Sequence, residues 1–368
     1  MNFLKVSLNT KNQIFFGENK INILKKIISK NTRNKILIVC SKRGKKVIKK
    51  LKVFQSILVN EIIWIDNIKE NICIDYFEKL DKNILKNNFN YVIGFGGGSA
   101  IDAAKTIIHY IIFKNFHNKH KKIIKNSRPI LIAIPTTSGT GSEVTSTATI
   151  WNFKKKKKLS LSHSFLLPRY AIVDPVLTYT MSRQQTFNSG LDALNQCFDS
   201  LWNHRANKES KLYAIQGIKL AYISLKELKK NYNNKKARLN LSKASLISGL
   251  AIKHTKTSIC HAISYPFTLY FKIPHGLACA LSMLEVIRFV IFNKKNFFSS
   301  INLKKIVLSE IPRLFLKLSV KKKIKKYINY SIDIEKIINN IYYSDRIKNF
   351  SFSITKNQLR TIVSKSLT

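Results

Sequence analysis

Acidic residues are scarce in this chain: 19 Asp and Glu stand against 65 Lys and Arg in 368 residues, a formal net charge of +46. Cysteine is scarcer still, with five residues, Cys40, Cys73, Cys197, Cys260 and Cys279. The number is odd and no two form a CxxC pair, which argues against a disulfide framework and for a reducing, cytoplasmic setting. No run of about 18 uncharged apolar residues is present, so no membrane span is expected. The best candidate, residues 277–292, is interrupted by Glu285 and Arg288. The opening MNFLKVSLNT lacks a long apolar core with a small-residue cleavage site, so no signal peptide is expected. There is no internal repeat and no long Gly/Ser/Pro linker, so the domains are expected to pack closely.

Charge alone would suggest a nucleic-acid or anionic-surface partner. The composition argues otherwise. Lysine dominates over arginine, and Asn, Ile and Phe are plentiful, the pattern of an AT-rich coding sequence. The basic residues are spread along the whole chain, with the dense block at Lys154–Lys158. A solvated basic surface is therefore expected, without a dedicated nucleic-acid site and without a membrane partner. Such a field still draws anionic substrates and cofactors at low salt.

With 45% apolar residues and this length, two domains with substantial cores are expected. In the first half, short apolar runs alternate with longer periodic stretches. Residues 35–40 (KILIVC), 56–59 with 62–65, 91–95 (YVIGF), 130–134 (ILIAI) and 170–173 (YAIV) read as strands, and residues 99–113 as a helix. Strands alternating with helices predict a parallel sheet with crossover helices. Beyond about residue 180, β-branched runs become rare and helical spacing takes over, as in residues 207–229 and 236–253. The expected architecture is an α/β nucleotide-binding domain over 1–180 and an all-α domain over 181–368, with the boundary near 178–184.

Two glycine-rich turns follow predicted strands. Gly96-Gly97-Gly98-Ser99 opens a predicted helix and continues as GGGSAIDAAK, with Asp102 and Lys105 one and two turns in. Glycines there permit positive φ and close ligand approach, and the helix N-terminus favours a phosphate. The pattern is not GxGxxG, which disfavours a plain Rossmann reading. The second turn, PTTSGTGSEVT over residues 135–145, follows ILIAI and offers several short hydroxyls. Each turn alone also suits a purely structural role. Two in succession, at the carboxyl ends of parallel strands, suggest a ligand edge.

A third constellation lies in the helical half. Asp192 and Gln196 are four residues apart in GLDALNQCFDS, as are His261 and Tyr265 in CHAISYPF, and His275 stands in IPHG. Residues four apart share one helix face. A carboxylate and two histidines with an open position suit a divalent metal acting as Lewis acid. Any one of these histidines alone would more often be a core or surface residue.

Taken in order, GGGSAIDAAK, PTTSGTGSEVT, AIVDP, GLDAL and CHAISYPFTLYFKIPHG resemble the iron-containing alcohol dehydrogenases, and RIKNFSFSITKNQLRTIV resembles the end of that family's sequences. The resemblance spans nearly the whole chain. It implies an N-terminal α/β nucleotide-binding domain and a helical C-terminal domain of the dehydroquinate synthase-like kind, with metal and nicotinamide in the cleft between. GLDAL…SLWN, TKTSICHAISYPFT and PHGLAC resemble the phosphonoacetaldehyde reductase branch, which implies reduction of phosphonoacetaldehyde to 2-hydroxyethylphosphonate in phosphonate biosynthesis. Carried over by position, the metal ligands fall on Asp192, His261 and His275, with Gln196 where the family has a fourth, histidine ligand. Fe²⁺ is the implied metal, with Zn²⁺ as the other option. Cofactor contacts fall on Gly97, Gly98, Ser99, Asp102, Thr136, Thr137, Thr140 and Lys158, joined by Asn71. Ser41, followed by Lys42 and Arg43, replaces an aspartate that many members use on the adenosine ribose, which leaves both NAD and NADP open. Tyr265 replaces a histidine near the nicotinamide, as a proton relay or as a packing residue. Lys256 and His254 are the candidate cations for a phosphonate. The implied chemistry is reversible: the metal polarises an aldehyde carbonyl and the reduced nicotinamide delivers hydride. A homo-oligomer, such as a dimer, is implied as well. The competing readings are a glycerol dehydrogenase-like enzyme with another substrate, and a decayed homologue that binds nucleic acid or a partner.

Overall fold

The computed structural model describes residues 12–28, 34–57, 60–113, 128–328 and 333–368. The opening MNFLKVSLNT lies outside them. The strands are β1 (Gln13–Phe16), β2 (Lys35–Val39), β3 (Glu61–Ile65), β4 (Tyr91–Gly96), β5 (Ile130–Pro135), β6 (Thr147–Asn152), β7 (Lys157–Ser162) and β8 (Tyr170–Val173). Six of them form a parallel sheet in the order β1-β8-β5-β4-β2-β3. The α/β reading of the first half is borne out. β2, β4 and β5 are buried almost throughout, which is why they read as unbroken apolar runs.

Three departures have local causes. Residues 56–59 are not a strand: Ser56 and Ile57 form a turn after the short helix Lys52–Gln55, where the Ser56 hydroxyl donates to Val53 O at 2.7 Å, and Leu58 and Val59 lie outside the described residues. β1 is a four-residue edge strand, QIFF, with half-exposed side chains, and its apolar run of three is too short to read as a strand. β6 and β7 form a separate two-stranded sheet, and β7 begins with lysines, so its sequence KKLSLS alternates too weakly to announce a strand.

The chain forms two compact units. One comprises Met1–Thr136, Ser142–Ile150 and Ser160–Asp174; the other comprises Thr137–Gly141, Trp151–Leu159 and Pro175–Thr368. In the first, α1 (Lys42–Lys50) follows β2 and α2 (Gly98–Phe113) follows β4. α2 is apolar on nearly every side and carries a fully buried lysine. Lys105 Nζ donates to Ser142 O (2.6 Å), Ser142 Oγ (2.9 Å), Thr145 O (2.8 Å) and Thr147 O (2.9 Å). A buried ammonium is tolerated only when its donors are met in this way. Here it fastens the segment after the second glycine turn onto α2.

The second unit is helical, as its sequence implied. Its main helices are α3 (Arg183–Leu201), α4 (Lys208–Lys230), α5 (Lys235–Thr255), α6 (Ile259–Phe271), α7 (His275–Asn293) and α8 (Lys356–Leu367). Ser182 caps α3, and reciprocal capping boxes start α4 at Asn207 and α8 at Thr355. α7 is long and apolar enough to cross a membrane by length and composition, yet 61% of that stretch is buried, with Met283, Val286 and Val290 in the core of the unit. Burial on that scale is what a core helix shows.

Candidate metal centre and nucleotide turn

Within the first unit, β4 and β5 are parallel neighbours, and Gly96 pairs with Pro135 at the carboxyl edge of the sheet. Gly96 has φ +147°, and α2 begins two residues later. Gly97, Gly98 and Ser99 therefore form the entry to a helix N-terminus, the end of a helix that faces anions. Asn71, in a left-handed conformation (φ 52°), donates its backbone N–H to Ser99 Oγ at 3.1 Å, so the loop after β3 closes on this turn. Thr136 N–H donates to Gly96 O at 2.9 Å. Asp102 braces the segment behind: its Oδ1 accepts from the Ser142 hydroxyl (2.5 Å) and its Oδ2 from Thr149 N–H (2.9 Å). Ser41 caps α1 by accepting from Gly44 N–H at 3.0 Å, with Lys42 and Arg43 exposed beside it. The structure thus joins Asn71, Gly97, Gly98, Ser99 and Thr136 into one turn, while Ser41 and Asp102 spend their acceptors on the protein.

In the second unit, Asp192 on α3, His261 on α6 and His275 and Cys279 on α7 each offer a donor atom, all within 4.8 Å of one another. Asp192 Oδ1 lies 3.3 Å from His261 Nε2, and Cys279 Sγ lies 3.8 Å from His275 Nε2. The predicted Asp192, His261 and His275 converge. Gln196 is beside them in another capacity: its Nε2 donates to Asp192 Oδ1 (3.3 Å) and Thr140 O (3.2 Å), and its Oε1 accepts from Ser248 Oγ (2.8 Å). It holds Asp192 through its amide nitrogen.

Two residues escaped the sequence reading. Cys279 stands one turn after His275. Asp199 stands two turns after Asp192 on α3, wholly buried. His261 Nδ1 is 2.7 Å from Asp199 Oδ2, which leaves Nε2 turned to Asp192. The same carboxylate accepts from the Ser258, Cys260 and His261 backbone N–H groups, the Ser258 hydroxyl and the Trp202 indole. A carboxylate behind a ligating histidine fixes its tautomer and orientation.

The charges are mutually dependent. Burial pushes the Cys279 thiol up, but the His261 and His275 imidazoles outweigh it and bring it to about 7. Burial lowers His261, yet Cys279, Asp192 and Asp199 raise it well above its usual value, and His275 is raised against burial by Cys279 and Asp192. A divalent cation suits this cluster, because its ligands must be deprotonated and metal binding displaces their protons.

Around the donors, Tyr265 stacks on His275 (centroids 6.1 Å, 15°), and its buried hydroxyl has no hydrogen-bond partner among the described residues. Lys158 Nζ lies 3.8 Å from the centroid of the Tyr265 ring. Burial raises the Tyr265 hydroxyl, but Lys158, Arg346 and His261 outweigh it and bring it to about 7. Lys156, from the same lysine block, sits over Tyr270 at 4.3 Å, so part of that block is packed on aromatic faces. Lys256 and His254 are placed differently: both are exposed, and His254 Nε2 faces Glu209 Oε2 at 3.7 Å.

The glycine-rich loop over Thr137–Thr140 belongs to this unit and is seated by contact with backbone. Gly141 has φ +59°, and a Cβ there would stand 2.3 Å from Gly249 Cα. Next to His275, a Cβ on Gly276 would stand 1.9 Å from Asn188 O on α3. Gly276→Ala is expected to force α7 away from α3 at the ligand positions, at a cost of about 1–3 kcal/mol. Thermal unfolding and zinc titration check this, and an unchanged melting temperature with unchanged zinc affinity would refute it.

A family model described as iron-containing alcohol dehydrogenase matches residues 11–175, and one for the C-terminal part of the Fe-containing alcohol dehydrogenase family matches residues 186–342. The chain belongs to the iron-containing alcohol dehydrogenase family. It is 37% identical over 159 residues to a phosphonoacetaldehyde reductase of Streptomyces viridochromogenes, covering 43% of this chain and 40% of that relative. It is 36% identical over 198 residues to a 1-propanol dehydrogenase of Salmonella typhimurium, covering 54% and 51%. These matches thus span about half or less of each curated relative. Among solved structures, it resembles an iron-containing alcohol dehydrogenase from Thermococcus thioreducens (TM-score 0.85, 22% identity, 97% and 98% covered) in fold. It also resembles a sulfoacetaldehyde reductase from Bifidobacterium kashiwanohense in complex with NAD⁺ (TM-score 0.83, 25% identity, 97% of each chain). The family uses NAD(H) and a divalent metal, and the donor set here fits such a metal.

Proposed function

We propose that the protein is an NAD(P)H-dependent reductase of small aldehydes, acting reversibly on the corresponding alcohols, and that its substrate is an acetaldehyde carrying an anionic group, phosphonoacetaldehyde first. The convergence of Asp192, His261 and His275 on one buried point, in a chain of this family, carries the reading. When bound, the cation supplies Lewis acidity at a carbonyl oxygen and the nicotinamide supplies hydride. The chain's own part is placement. Asp199 and Gln196 fix the directions of His261 and Asp192. Tyr265, with its hydroxyl brought to about 7, can hold or give a proton beside His275. Lys158 brings an ammonium to the same ring, which suits an anionic substrate. Two similar proteins are named for phosphono- and sulfoacetaldehyde, which supports that substrate class. Free thiols fit a cytosolic setting.

The test is a reductase panel. Zinc- or iron-loaded protein should oxidise NADH or NADPH with phosphonoacetaldehyde at a lower KM than with acetaldehyde or propanal, and His261→Ala should abolish turnover. Metal-loaded protein that turns over no aldehyde with either cofactor, yet retards nucleic acid at physiological salt, would sink the proposal in favour of a decayed homologue.

A further inference from the structure

The geometry points to Cys279 as the fourth metal ligand, a thiolate in the place where the sequence sets Gln196. The inference rests on the metal-site reading above. A tetrahedral zinc site with donors at 2.0–2.3 Å has ligand–ligand separations of about 3.3–3.8 Å. Asp192 Oδ1 to His261 Nε2 is 3.3 Å, and Cys279 Sγ to His275 Nε2 is 3.8 Å. The two fall at the two ends of that tetrahedral range, and all four donor atoms lie within 4.8 Å of one another. Cys279 is fully buried, and one turn of α7 puts it on the face that carries His275.

Gln196 is oriented to another task by what surrounds it. The atom facing Thr140 O and Asp192 Oδ1 must be a donor, because both of those oxygens only accept, so the amide cannot be flipped. Its carbonyl oxygen is turned to the Ser248 hydroxyl. Gln196 is therefore a positioning residue for Asp192. As the cation binds, the Cys279 thiol loses its proton to solvent and the Sγ–metal bond forms. Two anionic and two neutral ligands then balance a divalent charge, and a thiolate favours zinc over iron(II).

The experiment uses the full chain, freed of metal by chelation and reloaded with Co²⁺ or Zn²⁺, as wild type, Cys279→Ser and Gln196→Ala. Wild type with one equivalent of Co²⁺ should show tetrahedral d–d bands together with a near-ultraviolet sulfur-to-cobalt charge-transfer band. Zinc-edge absorption should show one sulfur at about 2.3 Å. Cys279→Ser should lose the charge-transfer band and keep the d–d bands at higher cobalt, whereas Gln196→Ala should retain both. Zinc affinity should fall by about 10–100-fold in Gln196→Ala, as for an outer-shell partner, and further in Cys279→Ser. One bound cobalt without charge transfer, or a Cys279→Ser spectrum identical to wild type, overturns the thiolate assignment while leaving a metal site. Wild type that takes up no metal overturns the metal-site reading itself, and the assignment with it.

Discussion

Asp199→Ala is expected to destabilise the helical unit by about 3–5 kcal/mol and to strip the metal from it, since removing one member of a buried charged network leaves the others unpaired. Six donor groups converge on this one carboxylate: three backbone N–H groups, the Ser258 hydroxyl, the Trp202 indole and His261 Nδ1. Burial alone would raise the acid, but His261 and Ser258 outweigh it and hold it below the usual carboxylate range. Alanine leaves those donors facing apolar surroundings. Asp199→Asn keeps the volume and one acceptor oxygen, so it should fold and lose about 10–100-fold in zinc affinity through misdirection of His261. Urea unfolding in excess chelator isolates the stability change, and zinc titration of the asparagine variant isolates the orienting effect. Equal zinc affinity in Asp199→Asn and wild type would show that His261 is held by packing alone.

The second large effect concerns pH and the α/β unit. Glu143 is buried, and burial lifts its carboxyl from 4.5 to about 7, against its local backbone hydrogen bond and Lys105, which lower it. A carboxyl raised in the folded state contributes stability that is complete below the unfolded value and is lost as pH rises through the folded one. The window runs from 4.5 to about 7. The loss amounts to about 3 kcal/mol in full. Burial lowers Lys105 to about 8, against Asp102 and Glu143, so its own titration lies above that window. Glu143→Gln cannot ionise and should gain on wild type as pH rises, most of the difference appearing between about pH 5 and pH 7. Urea unfolding of both proteins across that range is the measurement. A difference independent of pH would mean that Glu143 stays ionised throughout, with a better partner than Lys105.

Much of the fold was legible because buried parallel strands advertise themselves. KILIVC, YVIGF and ILIAI each became a strand whose end lay within a residue or so of the apolar run. The hairpin β6–β7 was not legible, because lysines occupy positions that a half-buried strand elsewhere gives to apolar residues. At the site, helical spacing correctly put Asp192 with Gln196 and His261 with Tyr265. Spacing states which residues share a face, but not what that face meets. Gln196 thus came to lie behind Asp192, engaged by Ser248 and Thr140. The same rule applied to His275 reaches Cys279, and applied from Asp192 across two turns reaches Asp199. A lone thiol and a third acid carried no motif to prompt the step. Lys256 and His254 closely precede His261 in sequence, but they sit at the end of α5, where both are exposed.

The back-to-back approach of Gly141 and Gly249 bears on how this protein can change. With a Cβ on Gly141 falling 2.3 Å from Gly249 Cα, main chain rests on main chain and no side-chain rotamer can absorb an added atom. A library that randomises the loop over Thr137–Thr140 to alter substrate choice would find its neighbour Gly141 intolerant for reasons of volume, whatever the reaction selected. Variation near this contact is thereby channelled away from Gly141 and Gly249 and toward neighbours that already carry side chains.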